Sequence, residues 1–272
     1  MLLPMTSLAT AAAGAAVLVL SGASVSNMYE TFTLARNHNN NKLLSSPDMT
    51  TRVASWKSID EAIHELQAMS RRDLVSLYLD CEHPQIDDLA VTIEHTDENW
   101  VYDGYLLSNG RILTTITNFI TNKLFGRGEK WMGKAYFSPN SSVSIGKNRF
   151  RLKQNAEKKS ISGIVPDILL DRTFDYHVGQ SAMCAGSSSL INRYSSHCSR
   201  WSPMSLIWRG MVDELRVIPL SVDAECNDVS RDKKTQNESK KRAMLLLGMG
   251  YFTWSGGVWN SAPFCLVAKQ GK

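Results

Sequence analysis

Hydrophobic and polar positions alternate along much of this chain from Trp100 onward, and the alternation predicts strands. Trp100, Tyr102, Gly104 and Leu106 share one face of a first strand. Trp131, Gly133, Ala135 and Phe137 share one face of a second, with Lys130 and Lys134 on the other. Between them Ile112, Ile116, Phe119, Ile120 and Leu124 recur at helical spacing up to Gly126, which predicts a helix over Ile112–Phe125. Further strands are expected at Val143–Leu152, Arg172–Ala182, Ser188–Ser195, Met204–Met211, Leu215–Leu220, Ala243–Trp254 and Ala262–Ala268. Upstream, Ser58 with Glu61 and Ser70 with Asp73 have helix-start spacing, and apolar stripes follow each. Two short helices, Ser58–Met69 and Arg71–Cys81, are expected to cover the barrel wall or one mouth.

About nine short strands with turns between them make this a mainly β chain. The expected fold is a single antiparallel β-barrel of about 8–10 strands, with two N-terminal helices and one helix after the first strand. At 272 residues and 43 % hydrophobic content the chain can bury a sizeable core. Residues 58–272 are expected to form the barrel domain. Residues 1–26 hold no charged side chain, and the apolar run Leu8–Leu20 is shorter than a membrane span; they read as a signal sequence or a membrane anchor. Residues 27–57 are polar and basic, with the run His38-Asn39-Asn40-Asn41, and read as a linker or transit segment. Together these imply an endomembrane route, ending in secretion or in the plastid of an alga. Val222–Arg242 reads as an exposed polar hairpin loop.

Charge and motifs narrow the chemistry mostly by exclusion. A net charge of +4 without a concentrated basic face gives no reason to expect nucleic acid. The five cysteines form no CxxC pair, so no zinc or redox motif is indicated, although Cys184 and Cys198 could close a short loop in an oxidising compartment. Gly186-Ser187-Ser188-Ser189 is not a nucleophile elbow, Gly248-Met249-Gly250 lacks the third glycine of a dinucleotide loop, and no cofactor is implied. Adjacent Asp80-Cys81-Glu82-His83 do not converge on a metal, and His177 falls on the solvent face of its strand.

The polar residues of interest are arginines inside strand patterns: Arg149, Arg193, Arg209 and Arg216. An arginine inside an apolar barrel needs an anion, either a protein carboxylate such as Asp213 or Glu214 or the acidic head group of a ligand. With Trp100, Trp131, Tyr194 and Trp254 as aromatic lining, these form the candidate ligand-binding set.

The helix before a Trp-bearing first strand (Trp100–Leu107), the helical run after it and the closing segment Ser261–Val267 resemble the calycin-like barrels: lipocalins, fatty-acid-binding proteins and plastid lipid-associated fibrillins. Trp131-Met132-Gly133-Lys134 also resembles the W-x-G-K element of a G-x-W-x-G domain family. The calycin resemblance covers about residues 58–270 and implies non-enzymatic carriage of an apolar, lipid-like ligand; the apolar N-terminal segment separately suggests membrane association. Two alternatives stand beside it. One is an isomerase or hydrolase at the barrel mouth using Tyr194, Asp213, Glu214 and the arginines. The other is an accessory subunit of a membrane complex.

Overall fold

The computed structural model describes residues 25–40, 53, 55–84, 99–107, 111–119, 121–122, 129–137, 144–151, 168–198, 208–218 and 245–268 of the chain. The signal or anchor run to residue 24, the 222–242 insert, residues 204–207 of the expected Met204–Met211 strand and the side chain of Trp100 lie outside them; in the rest of that expected strand Trp208 and Arg209 are helical, Gly210 is a turn and only Met211 is extended.

Eight antiparallel strands close into a barrel in sequence order: β1 (Asn99–Leu106), β2 (Lys130–Phe137), β3 (Ile145–Arg151), β4 (Ile168–Gln180), β5 (Ser188–Arg193), β6 (Met211–Ile218), β7 (Leu245–Phe252) and β8 (Ala262–Ala268). Tyr102 of β1 pairs with Ala268 of β8, so no sheet edge is left open in the described strands. Because neighbours alternate in direction, the β1–β2, β3–β4, β5–β6 and β7–β8 connections all emerge at one end, called here the mouth. The β2–β3, β4–β5 and β6–β7 connections emerge at the opposite end.

Among the described residues α-helices accompany the barrel, the longer ones being α1 (25–40), α2 (Ile59–Ala68), α3 (Arg71–Asp80) and α4 (Arg111–Asn118), with Val53 and Trp208–Arg209 also helical. The Ser58 and Ser70 side chains accept from Glu61 N and Asp73 N and start α2 and α3, as their spacing implied. Their apolar stripes pack on the outer wall. Leu66, Leu74, Val75 and Tyr78 meet Leu245, Leu247, Met249, Cys265 and Val267, the outward residues of β7 and β8. After α3 the chain runs beside β6, where Glu82 and Val217 exchange backbone hydrogen bonds of 2.9 and 3.1 Å. Helix α4 follows β1 at the mouth end, and helical structure continues at residues 119 and 121–122 along the Ile112–Phe125 run from which it was read.

The boundary drawn at Ser58 differs from the packing. Within the segment read as a linker, α1 docks on the barrel, with Thr31 and Ala35 one turn apart and buried. Arg71 of α3 clamps it: one guanidinium nitrogen donates to Thr31 Oγ1 at 2.7 Å and to the Ser261 carbonyl at 3.2 Å, the other to Glu30 at 3.2 Å. Phe32 meets the Trp259 ring edge-on at 5.6 Å. Val53 and Trp56 are also buried in this outer core. Among the described residues no helix is long and apolar enough to cross a membrane.

Candidate functional site

An eight-stranded barrel is just wide enough for its own side chains or one small ligand. Here rings fill it. Tyr102, Tyr136, Phe174, Tyr194 and Trp208 form a continuous series of ring contacts with centroids 5.3–5.6 Å apart, and Trp131 meets Phe264 edge-on at 5.8 Å.

Among these rings lies a buried polar centre. The Lys134 ammonium donates to Asn148 Oδ1 at 3.0 Å, to the Tyr194 hydroxyl at 2.6 Å and to Asp213 Oδ2 at 2.8 Å. The Tyr194 hydroxyl donates to Asp213 Oδ2 at 2.9 Å and accepts from Asn148 Nδ2 at 3.0 Å. Asn148 Oδ1 also accepts from Trp131 Nε1 at 3.1 Å, and its Nδ2 reaches the Arg172 carbonyl at 3.4 Å. Every donor of the lysine is used, as are the one donor and two acceptor sites of the tyrosine and all four sites of the asparagine amide. Such closure is what makes a buried charge tolerable. Burial pulls the Lys134 ammonium below its ordinary value while the Asp213 carboxylate pulls it back up. Burial, with the Asp213 charge, pushes the Tyr194 phenol well above its own.

Alternation alone puts Lys134 outside, and a β-bulge is why it does not stay there. The β2–β3 register slips between Trp131 and Gly133, with Gly133 at φ +122°, so Met132 is the extra residue. Trp131 and Lys134 thereby come to share the inner face. A second register shift, between Lys147 and Asn148 opposite Thr173 and Asp171, makes Arg172 the extra residue on β4. Arg172 adopts φ 57°, a left-handed conformation that is costly for a side chain of its size.

That strained residue lines a cleft of about 120 Å³ at the mouth, together with Asp171, Thr173, Tyr194, His197, Cys198 and Trp208. The Arg172 guanidinium lies 5.2 Å over the Trp208 ring, and its Nε has no hydrogen-bond partner. Among the described residues it forms one ion pair, with Asp171 at 3.9 Å. His197 Nε2 donates to Asp175 Oδ1 at 2.6 Å, which fixes the imidazole at the rim. Tyr194 forms the floor, so the cleft stands directly on the Lys134–Asp213 centre. The Cys198 thiol is pushed up by burial and drawn back by Arg172 and Arg209.

The residues picked from the sequence scatter relative to this site. Tyr194 and Trp131 belong to the inner network. The four arginines were read either as inside the barrel with an anion or as closing an end or facing water, and none lies inside. Arg216 is buried on the outer wall beneath α3, where Nε donates to Ser189 Oγ at 3.2 Å and Nη1 to the Leu79 carbonyl at 3.3 Å. There it caps the C-terminal end of that helix. Arg149 is buried facing outward, bonded to the Tyr102 carbonyl at 2.9 Å and to Asp103 at 2.8 Å. Arg193 is exposed on the outer face, and Arg209 is exposed before β6. Trp254 is exposed and stacks on Phe252 at 5.0 Å. Asp213 pairs with Lys134 and not with an arginine. Glu214 faces outward and accepts from the Tyr251 hydroxyl at 2.9 Å and from Ser181 Oγ at 2.8 Å. Cys184 and Cys198 are free thiols.

Lys134, Asn148, Arg172, His197 and Trp208 were not picked as site residues. The glycine in Trp131-Met132-Gly133-Lys134 was the available signal for a bulge that turns the lysine inward. No protein-family model, no curated protein and no solved structure matches the chain.

Proposed function

We propose that this barrel is a binding protein for a small ligand carrying an acidic group, held at the mouth by Arg172. The observation that carries this reading is the guanidinium of Arg172. It sits on a strained bulge, rests on an indole face, lines a cleft and keeps a donor unused. Local strain of this kind persists where the surrounding structure enforces it and is a mark of functional positions. A carboxylate or phosphate oxygen would fit the planar guanidinium fork, and Trp208 offers an apolar flank for the atoms next to it. The cleft is smaller than the roughly 300–1,000 Å³ usual for drug-sized ligands. The acidic head group and a few attached carbons would therefore sit in it, any longer tail lying outward along the mouth. Calycin-like carriage is kept in this narrower form. Catalysis by Tyr194 finds less support, because its hydroxyl is already saturated by three partners.

The test is titration with 8-anilinonaphthalene-1-sulfonate, an anionic aromatic probe, followed by competition. Wild-type protein is expected to bind it and to release it to octanoate but not to octylamine. Arg172→Gly relieves the left-handed strain, keeps the fold and is expected to weaken binding at least about tenfold. Unchanged binding in Arg172→Gly, or equal competition by octylamine, overturns the proposal. Stoichiometric oleate binding that Arg172→Gly leaves untouched would instead establish carriage of an apolar chain.

A further inference from the structure

The end of the barrel opposite the mouth brings three chemically apt side chains together from three elements. Cys184 lies in the β4–β5 connection, Asp80 is the last residue of α3, and His38 is near the end of α1. His38 Nδ1 is 4.0 Å from Cys184 Sγ, and His38 Nε2 is 3.2 Å from Asp80 Oδ1. One tautomer serves both contacts: Nε2–H donates to the carboxylate, leaving Nδ1 free to accept the thiol proton. This is the nucleophile–base–orienter order that activates a thiol, at the looser spacing common in resting sites.

The turn carrying Cys184 is fixed. Ser181 Oγ accepts from Met183 N and Cys184 N, both at 3.2 Å, and itself donates to Glu214 of the barrel wall. The sulfur also meets Ser187 Oγ at 3.3 Å and Asn39 Oδ1 at 3.9 Å. Cys184 is 1 % exposed, whereas Ala185 and Gly186 beside it are open to solvent. The end of α1 is thus both the source of the base and part of the cover.

We propose that Cys184, His38 and Asp80 form a base-assisted thiol site that attacks small carbon electrophiles when the end of α1 lifts. In that step an S–C bond forms, the bond from carbon to the leaving group breaks with its electron pair on the leaving group, and the thiol proton passes to His38 Nδ1. Asp80 is a positioning residue that holds the tautomer. This site lies at the far end from the Arg172 cleft and does not depend on the reading of it.

The test uses the full chain and iodoacetamide at neutral pH, with the modification of each cysteine timed by peptide mass spectrometry. Cys184 is expected to react at least about tenfold faster than the comparably buried Cys81 and Cys265. His38→Gln, which keeps bulk and polarity but removes the base, is expected to slow it at least about tenfold, and Asp80→Asn by less. If His38 is only a cover, His38→Ala loosens α1 and speeds labelling. Faster or unchanged labelling in His38→Gln and His38→Ala overturns the proposal, as does a labelling order that simply follows exposure with Cys198 far ahead.

Discussion

Lys134→Met is the sharpest perturbation of the barrel. The ammonium and the Asp213 carboxylate it touches at 2.8 Å are 2 % and 1 % exposed, so neither charge can fall back on water. Removing the lysine leaves Asp213 ionised in an aromatic interior with the Tyr194 hydroxyl as its remaining donor from the network. Breaking a buried pair from one side costs about 3–5 kcal/mol, mainly through the charge left behind. Against a total stability of about 5–15 kcal/mol this is a large fraction of the whole. Asp213→Asn strands the lysine in the same way, while its amide oxygen still accepts one bond. The double variant carries neither charge. It loses hydrogen bonds worth about 0.5–1.5 kcal/mol each and is expected to be more stable than either single variant.

Urea melts followed by tryptophan fluorescence suit the measurement, because Trp131 and Trp208 are buried at the barrel core and report on its packing. The expected coupling energy between the two sites is at least about 2 kcal/mol, beyond what sites without a shared partner show. If the two single losses add to within about 0.5 kcal/mol, the network does not act as a unit, and the account of why a charge can sit inside this barrel is wrong.

Two further outcomes follow from the same interior. Burial pushes the phenols of Tyr78, Tyr136 and Tyr194 above their ordinary value, so the folded state holds protons the unfolded chain has lost above about pH 10. Their stabilising contribution is complete below that pH and is lost above it. Three such groups give a fall of about 4 kcal/mol per pH unit, and the buried thiol of Cys265, pushed up to about 12, adds to it from lower pH. Circular dichroism against pH should show cooperative alkaline unfolding coincident with tyrosinate absorbance; tyrosines that ionise before the fold is lost would refute it. Gly133→Ala places a Cβ against the Tyr102 carbonyl oxygen at a φ of +122°. The dihedral alone costs about 1–3 kcal/mol, and a urea midpoint equal to wild type would show that the bulge does not need its glycine.

The barrel was legible in the sequence because period-two alternation survives wherever strands run straight. Tyr102 and Leu106, or Phe174, Tyr176 and Val178, face inward as their spacing says. The inner chemistry was not legible, and the two bulges are the physical reason. One extra residue at Met132 moves Lys134 from the outer to the inner face, and one at Arg172 aims that arginine at the mouth. Period counting cannot register an insertion that only the partner strand reveals. The arginines are a different case. Arg216 sits at a position that looks internal because α3 covers it, since a burial signal is the same whether a helix or the lumen supplies the cover. Helix α1 escaped notice because it docks through Thr31, Ala35 and the partners of Arg71, and shows no broad apolar stripe. His38 and Cys184 meet only because that helix docks.

The bulges also connect the fold to its candidate site. Asn148 of β3 pairs directly with Lys134 of β2, and its amide reaches the Arg172 carbonyl of β4. The hydrogen-bond set that neutralises the buried lysine therefore also grips the backbone of the strained residue. A barrel with an apolar lumen would have nothing there to hold a left-handed arginine and would let it relax into the ladder. Filling the lumen with a closed polar network thus does two things at once. It occupies the described part of the lumen with side chains, and it fixes a guanidinium at the rim in a conformation it would not choose alone. On this reasoning Asn148→Leu, which keeps Lys134 paired with Asp213 but releases the Arg172 carbonyl, should weaken anionic-probe binding while the Lys134–Asp213 coupling persists. Loss of both together would mean that the network is one structural block with no separate role at the mouth.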